Sequence, residues 1–172
     1  MKLYIMRHGP AEDDSPTGRD ADRALTPSGR ERVREVARAL VGAGESPVGI
    51  VSSPLVRALQ TAEIVAAIAN VATVEVRAEM APGGDKLALL AELVKAGRKR
   101  VMIVGHEPEL SMLSQRLVGR MPPEGMMKGM VVGAKLTPSG PDLQGVGLPF
   151  DAAERFVLDP KTLVWDRSRS TA

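Results

Sequence analysis

The chain contains two histidines, and each of them stands where a short apolar run ends. His8 follows the run from Leu3 to Met6, and His106 follows the run from Val101 to Val104. Short apolar runs of this kind are typical of strands that are buried in a parallel sheet. Because ligands bind beyond the carboxyl ends of such strands, we expect the two imidazoles to meet in one pocket.

Two arginines accompany this pair, and both suit an anion. Arg7 directly precedes His8, and Arg57 falls in the first turn of a helix that the pair Ser53-Pro54 predicts. A helix N-terminus offers N–H groups and positive potential to an anion, and a guanidinium adds a planar fork of donors. The pocket therefore suits the oxygens of a phosphate-sized anion.

Strand-like and helix-like stretches alternate along the chain, which favours an α/β fold. We expect a single three-layer domain with a mostly parallel central sheet and helices on both faces. Strands are predicted at residues 3–6, 48–51, 73–76, 101–104, 130–136 and 155–158. Helices are predicted to begin at Pro27, at Pro54, near Leu87 and at Pro108. The domain should span residues 1–166, with a frayed tail at residues 167–172.

The composition excludes several classes of protein. The absence of Cys rules out disulfides, thiolate metal sites and Cys nucleophiles, and it fits a reducing compartment. The net charge of +2, from 23 basic and 21 acidic side chains, does not indicate nucleic-acid binding. No apolar stretch approaches the roughly 20 residues that span a bilayer, and the N-terminal run is too short for a signal peptide. We therefore expect a cytoplasmic protein that binds neither nucleic acid nor membrane, of an oligomeric state that the sequence leaves open.

Three ordered blocks resemble the histidine phosphatase superfamily. They are Arg7-His8-Gly9, the run from Ser52 to Ala62 (SSPLVRALQTA), and Gly105-His106-Glu107-Pro108. The segment from Glu79 to Asp85 (EMAPGGD) and the short chain are similar to the SixA-type branch, the phosphohistidine phosphatases. The resemblance covers residues 1–118 best, and it implies a fold like that of the phosphoglycerate mutases.

The resemblance also implies roles for the residues of the predicted pocket. His8 would attack phosphorus in line and form a covalent phosphohistidine, which water then hydrolyses. The phosphoryl oxygens would be bound by cationic and imidazole groups, namely Arg7, Arg57 and His106. In phosphoryl transfer such positioning and charge stabilisation supply most of the catalysis, so neither a metal nor another cofactor is expected.

Further residues have more open assignments. Arg23 is placed at the phosphate by the resemblance, with an exposed loop arginine as the other reading and Arg19 as an alternative. Gly9 belongs to the predicted phosphate site, where it would permit a tight backbone turn. Glu79 is the candidate general acid that would protonate a leaving group, and the alternative is that it is a loop carboxylate without this role.

Three functions compete on this reading. The first is a phosphatase that removes phosphate from phosphohistidine on a phosphotransfer-type protein domain. The second is a phosphatase for a small phosphate monoester, which would use the same chemistry at His8. The third is a phosphate-binding module without turnover. A phosphohistidine substrate releases imidazole, a better leaving group than an alkoxide, so the first function tolerates a weak or absent general acid.

Overall fold

The computed structural model describes residues 1–119, 122, 124–139 and 148–167. Within these ranges seven strands form one sheet in the order β3-β2-β4-β1-β5-β6-β7. The strands are β1 (Lys2–Arg7), β2 (Gly49–Ser52), β3 (Val74–Val76), β4 (Arg100–Gly105), β5 (Val131–Pro138), β6 (Phe150–Leu158) and β7 (Trp165–Asp166). The two histidine-bearing strand ends are neighbours, because β1 pairs in parallel with β4 and Arg7 lies opposite Gly105.

Four α-helices lie in the described ranges: the first three connect the parallel strands, and the fourth leads from β4 to the antiparallel β5. They are α1 (Pro27–Gly42), α2 (Val56–Ala69), α3 (Lys86–Lys95) and α4 (Glu109–Val118). The N-cap predicted before Pro27 is confirmed, since the Thr26 side chain accepts a hydrogen bond from Gly29 N–H at 2.9 Å. The cap predicted at Ser53 is wrong. Helix α2 begins only at Val56, so its N-cap residue is Leu55, whose side chain makes no capping hydrogen bond.

Residues of the central strands alternate between two apolar layers. Leu3 and Ile5 pack in the layer that includes α3 and α4, whereas Tyr4 and Met6 pack in the layer that includes α1 and α2. Successive side chains of a strand point to opposite faces, so a strand that is apolar throughout must be covered on both sides. The predicted three-layer α/β class is confirmed. None of the helices in the described ranges has the length and apolar character to cross a bilayer.

The sheet is mixed rather than wholly parallel. Strands β3, β2, β4 and β1 pair in parallel, whereas β5 pairs antiparallel with β1, and β6 antiparallel with β5. The predicted strand at residues 130–136 thus runs against the histidine-bearing strands. The turn-rich stretch noted near residues 137–150 falls partly outside the described residues, as does the predicted frayed tail beyond Arg167.

The start of α1 packs tightly against the chain that follows His8. A Cβ added at Gly29 would lie 2.0 Å from the carbonyl oxygen of Pro10, a backbone atom that cannot rotate away. We expect Gly29→Ala to lower the free energy of unfolding by about 1–3 kcal/mol, the usual cost of overpacking. Urea denaturation monitored by circular dichroism measures this directly.

Gly42 provides a matched control on the same helix. A Cβ added there meets no atom within 4 Å. Gly42→Ala should therefore leave stability unchanged or raise it by about 0.5–1 kcal/mol, because Ala restricts the unfolded chain. Equal stability of the two variants would show that Pro10 does not constrain α1.

Candidate active site

His8 lies just beyond the end of β1 with its ring orientation fixed by backbone. The backbone N–H of His8 donates to the carbonyl of Gly105 at 3.1 Å. The ring Nδ1 lies 2.7 Å from the carbonyl oxygen of Gly9. A carbonyl oxygen only accepts hydrogen bonds, so Nδ1 carries the proton in this contact. The lone pair of the neutral ring is then on Nε2, the nitrogen available to attack phosphorus.

His106 follows β4, and its ring lies beside that of His8. The ring centroids are 5.2 Å apart and the planes are inclined by 51°. Nε2 of His106 is 2.8 Å from the hydroxyl of Ser53, which also accepts a hydrogen bond from Leu55 N–H. Nδ1 of His106 is buried and has no hydrogen-bond partner within the described part of the chain. If Ser53 donates to Nε2, the proton sits on Nδ1, which becomes a donor for a bound oxygen.

Both imidazoles are held in their neutral forms. Burial lowers the pKa of His8 to about 3; the hydrogen bond to the Gly9 carbonyl opposes this shift, and His106, Arg57 and Arg7 each add a smaller lowering. Burial likewise lowers the pKa of His106 to about 4, with Arg57 and Lys86 contributing. Desolvation disfavours a charged ring, so neither histidine is protonated near neutral pH.

Arg57 is buried at the start of α2 and is held by one residue of the loop between β1 and α1. Its Nη1 donates to the backbone carbonyl of Asp20 at 2.7 Å, and its Nη2 donates to Oδ2 of the same residue at 2.9 Å. Arg23 donates from Nη1 to the other carboxylate oxygen of Asp20 at 2.8 Å. Arg19 is exposed and pairs with Asp22, away from this contact.

Arg7 reaches the same region from β1. Its Nη1 donates to the carbonyl of Met126 at 2.6 Å, and its Nε is buried without a partner among the described residues. Burial lowers the pKa of Arg7, and nearby Glu107 opposes this shift. The backbone N–H of Met126 donates to Ser111 Oγ at 3.0 Å. The loop that ends before β5 thus fixes Arg7.

Gly9 lies in close contact with α1 and α2. It is not among the residues with a left-handed backbone conformation. A Cβ at Gly9 would lie 2.6 Å from Cγ2 of Val33 on α1. The backbone N–H of Gly9 donates to Thr61 Oγ1 at 3.1 Å. The N–H is therefore engaged by α2, and the contribution of Gly9 to the site is its carbonyl, which orients His8.

Glu79 has a different environment from that of a general acid. Its carboxylate accepts hydrogen bonds from Arg77, at 2.6 Å and 3.2 Å, and this contact lowers the pKa of the carboxyl group. The group is then ionised near neutral pH and has no proton to give. The position of Glu79 does not support the predicted role.

Sequence reasoning missed Asp20 and the role of Ser53. Asp20 lies in a polar loop that has no apolar periodicity, so nothing in the pattern connects it to Arg57. The Ser53-Pro54 pair suggested a helix cap, and the hydroxyl instead contacts His106. The signal that could have found Ser53 is its place directly after β2, at the same sheet edge as the histidines.

Comparisons with known proteins show which family the chain resembles. The model of the histidine phosphatase superfamily (branch 1) matches residues 3–81. The phosphohistidine phosphatase SixA of Escherichia coli (strain K12) is 34% identical over 128 residues, which cover 72% of this chain and 78% of that protein. An uncharacterized protein of Picosynechococcus sp. is 42% identical over 113 residues, covering 64% of this chain and 68% of that protein.

Solved structures show the same fold. The protein histidine phosphatase SixA complexed with tungstate superimposes with a TM-score of 0.79 at 28% identity, covering 93% of this chain and 97% of that one. A mycobacterial glucosyl-3-phosphoglycerate phosphatase shares the fold at a TM-score of 0.59 and 24% identity, covering 77% of this chain and 89% of that one. The chain belongs to the histidine phosphatase superfamily, in its SixA-type branch, and is a phosphatase.

Proposed function

We propose that this phosphatase hydrolyses phosphohistidine on a protein domain, through a covalent phosphohistidine on His8 and without a metal or other cofactor. The observation that carries the proposal is the contact of His8 Nδ1 with the Gly9 carbonyl at 2.7 Å. This contact leaves the lone pair on Nε2, beside a second neutral imidazole and with the buried Arg57 and the half-buried Arg7 nearby. Such a site fits an imidazole nucleophile that accepts a phosphoryl group.

In the first step the lone pair of His8 Nε2 attacks phosphorus. The new N–P bond forms as the bond between phosphorus and the substrate imidazole breaks, and the electron pair of that bond stays on the substrate nitrogen. When the other nitrogen of the substrate ring carries a proton, the leaving group departs as neutral imidazole. The step then needs no acid from the enzyme.

In the second step water attacks the phosphorus held on His8. The N–P bond breaks, its electron pair returns to Nε2, and the proton of water leaves with inorganic phosphate. Arg7, Arg57 and Arg23 are proposed to bind the phosphoryl oxygens in both steps, and His106 to donate from its unpartnered Nδ1. Donors aimed at developing charge are each worth about 10²- to 10³-fold in rate.

The ionised states of Asp20 and Glu79 favour a phosphohistidine over an ester. Arg23 and Arg57 lower the pKa of Asp20, and Arg77 lowers that of Glu79. Both groups are ionised near neutral pH, so neither could protonate the alkoxide that an ester releases. The phosphohistidine phosphatase SixA of Escherichia coli, a relative at 34% identity, supports the same choice of substrate.

A comparison of substrates tests the proposal. The purified protein is offered a phosphotransfer domain phosphorylated on histidine and, separately, a small alkyl ester such as glycerol 3-phosphate, whose alkoxide leaving group needs a proton. We expect kcat/KM to be at least about 10²-fold higher for the phosphohistidine protein than for the ester. This factor is the smallest rate contribution typical of a general acid, which the ester would lack. A preference for the ester would replace this proposal with the small-molecule phosphatase. The absence of turnover on both, together with phosphate binding, would favour a binding module.

The hydroxyl of Ser53 should matter because it orients His106. Ser53→Ala removes the group 2.8 Å from Nε2 and leaves the ring free to exchange its proton between nitrogens. We expect kcat/KM to fall by about 10- to 100-fold, the effect typical of residues that orient a functional histidine. Steady-state kinetics on the phosphohistidine protein measures the change.

Ser52→Ala is the matched control for this variant. Ser52 is also fully buried, but its hydroxyl donates to the Ser53 carbonyl at 2.9 Å and not to an imidazole. The control should retain most of the activity. Equal losses in the two variants would show that the effect comes from packing at the end of β2.

A further inference from the structure

We propose that Asp20 is a positioning residue, which orients Arg57 and Arg23 toward the phosphoryl group. The inference rests on the proposed phosphate-binding role of these two arginines. The carboxylate divides its oxygens between them: Oδ2 accepts from Arg57 at 2.9 Å, and Oδ1 accepts from Arg23 at 2.8 Å. One loop residue therefore fixes two guanidinium groups that come from different elements.

The contact with Arg57 defines the plane of its guanidinium. Nη1 bonds the backbone carbonyl of Asp20 and Nη2 bonds its carboxylate, so two donors of the rigid fork are held at once. A long arginine side chain that nothing holds must give up its rotamer freedom when it binds phosphate. Asp20 therefore pre-organises Arg57. Because the guanidinium is planar, fixing two of its donors also fixes the directions of its remaining N–H groups.

Arg23 is fixed in a similar way. Its Nε donates to the Glu12 carbonyl at 2.6 Å, while its Nη1 donates to Asp20. Both bonds tie Arg23 to the loop between β1 and α1, the segment that follows His8. This loop therefore contains Arg23 and also binds Arg57, which belongs to α2.

The exposure of the partners shows that Asp20 is not a packing residue. Its side chain is 62% exposed, whereas the side chain of Arg57 is 8% exposed. Removing the Asp20 carboxylate leaves no cavity in the core, and its cost in stability is that of the ion pair with the buried Arg57. Simple electrostatics predicts that removing a negative charge strengthens the binding of an anion. Weaker phosphate binding after removal would therefore be a signature of lost positioning.

The test measures the Kd of orthophosphate by calorimetry and kcat/KM on the phosphohistidine protein. We expect Asp20→Ala to weaken both by about 10- to 100-fold, the range found for residues that orient metal ligands. Asp22→Asn is the matched control, because Asp22 lies in the same short 3₁₀ turn and its carboxylate contacts Thr17 and Arg19. The control should leave both quantities unchanged, and circular dichroism should show that both variants are folded at the temperature of the assays.

A double-mutant cycle with Arg57→Ala shows whether Asp20 acts through the arginine. In the Arg57→Ala background the effect of Asp20→Ala on phosphate binding should shrink to the part that acts through Arg23, since one of the two groups that Asp20 positions is gone. Full additivity would overturn the proposal, as would orthophosphate binding that is unchanged or tighter in Asp20→Ala. Orthophosphate binding does not depend on the substrate. If Asp20→Ala weakens orthophosphate binding but the wild-type protein does not hydrolyse phosphohistidine, the positioning role is supported and the proposed function is rejected.

Discussion

Replacing His8 with Ala should lower kcat/KM on a phosphohistidine protein by on the order of 10⁵- to 10⁶-fold. The expectation follows from the site geometry, because the variant removes the atom proposed to form the bond to phosphorus. Loss of a catalytic nucleophile has effects of this size in enzymes whose other groups remain in place. The residual rate would come from water attacking a phosphoryl group that the arginines still bind.

The covalent intermediate gives this prediction a second and independent readout. Incubating the wild-type protein with a radiolabelled phosphohistidine domain, followed by rapid quenching in base, should leave phosphate on the phosphatase that is lost on exposure to acid. His8→Ala should carry none. His106→Ala keeps the proposed nucleophile and should still become labelled, although more slowly. A labelled His8→Ala protein would place the acceptor elsewhere.

Folding must be checked because His8 is only 6% exposed. The ring contacts the backbone of Gly9 and lies beside His106, and its loss leaves a small gap at the sheet edge. His8→Asn is therefore a useful second variant, since it retains a polar group near the Gly9 carbonyl. An active His8→Asn protein would contradict nucleophilic catalysis by this residue.

The two histidines could be predicted to converge because their positions follow from strand burial. Apolar runs before His8 and His106 require strands that are covered on both faces, and parallel strands of this kind end at one edge. The pairing of β1 with β4, and the ring separation of 5.2 Å, agree with that expectation. Arg57 followed from its place near the start of α2.

The partners of these residues were beyond prediction, because they come from segments without periodicity. Asp20 stands in a polar loop, and the carbonyl of Met126 belongs to a loop rich in Met and Gly. Backbone carbonyls leave no mark on a sequence, yet one of them holds Arg7. The direction of β5 was also open, since an apolar run does not reveal whether its neighbour is parallel or antiparallel.

Acidification should destabilise this protein well before its carboxylates titrate. We expect the free energy of unfolding to fall by on the order of 4 kcal/mol between pH 7 and pH 4.5. In the unfolded chain each histidine takes up a proton below its ordinary pKa of about 6.5. In the folded protein burial holds the pKa of His8 at about 3 and that of His106 at about 4, so the native state binds these protons only at lower pH.

The sign of the effect follows from the numbers of bound protons. Between the unfolded and folded pKa values the unfolded state holds more protons, so stability rises with pH at about 1.4 kcal/mol per pH unit for each histidine. The buried carboxylate of Glu45 has its pKa lowered to about 2, mainly by Arg155, and it adds a similar loss only below about pH 4.5. The interval above this value therefore isolates the histidines.

Urea denaturation at a series of pH values measures this slope, and the double variant His8→Asn/His106→Asn is its control. The control should have nearly constant stability between pH 7 and pH 5, whereas the wild type should lose stability throughout. Because the chain has two histidines, NMR can follow both imidazoles in the same samples. A ring that titrates near its ordinary pKa of about 6.5 in the folded protein would contradict the burial that keeps the proposed nucleophile neutral. The same desolvation that makes Nε2 of His8 available for attack should thus appear as acid sensitivity of the fold.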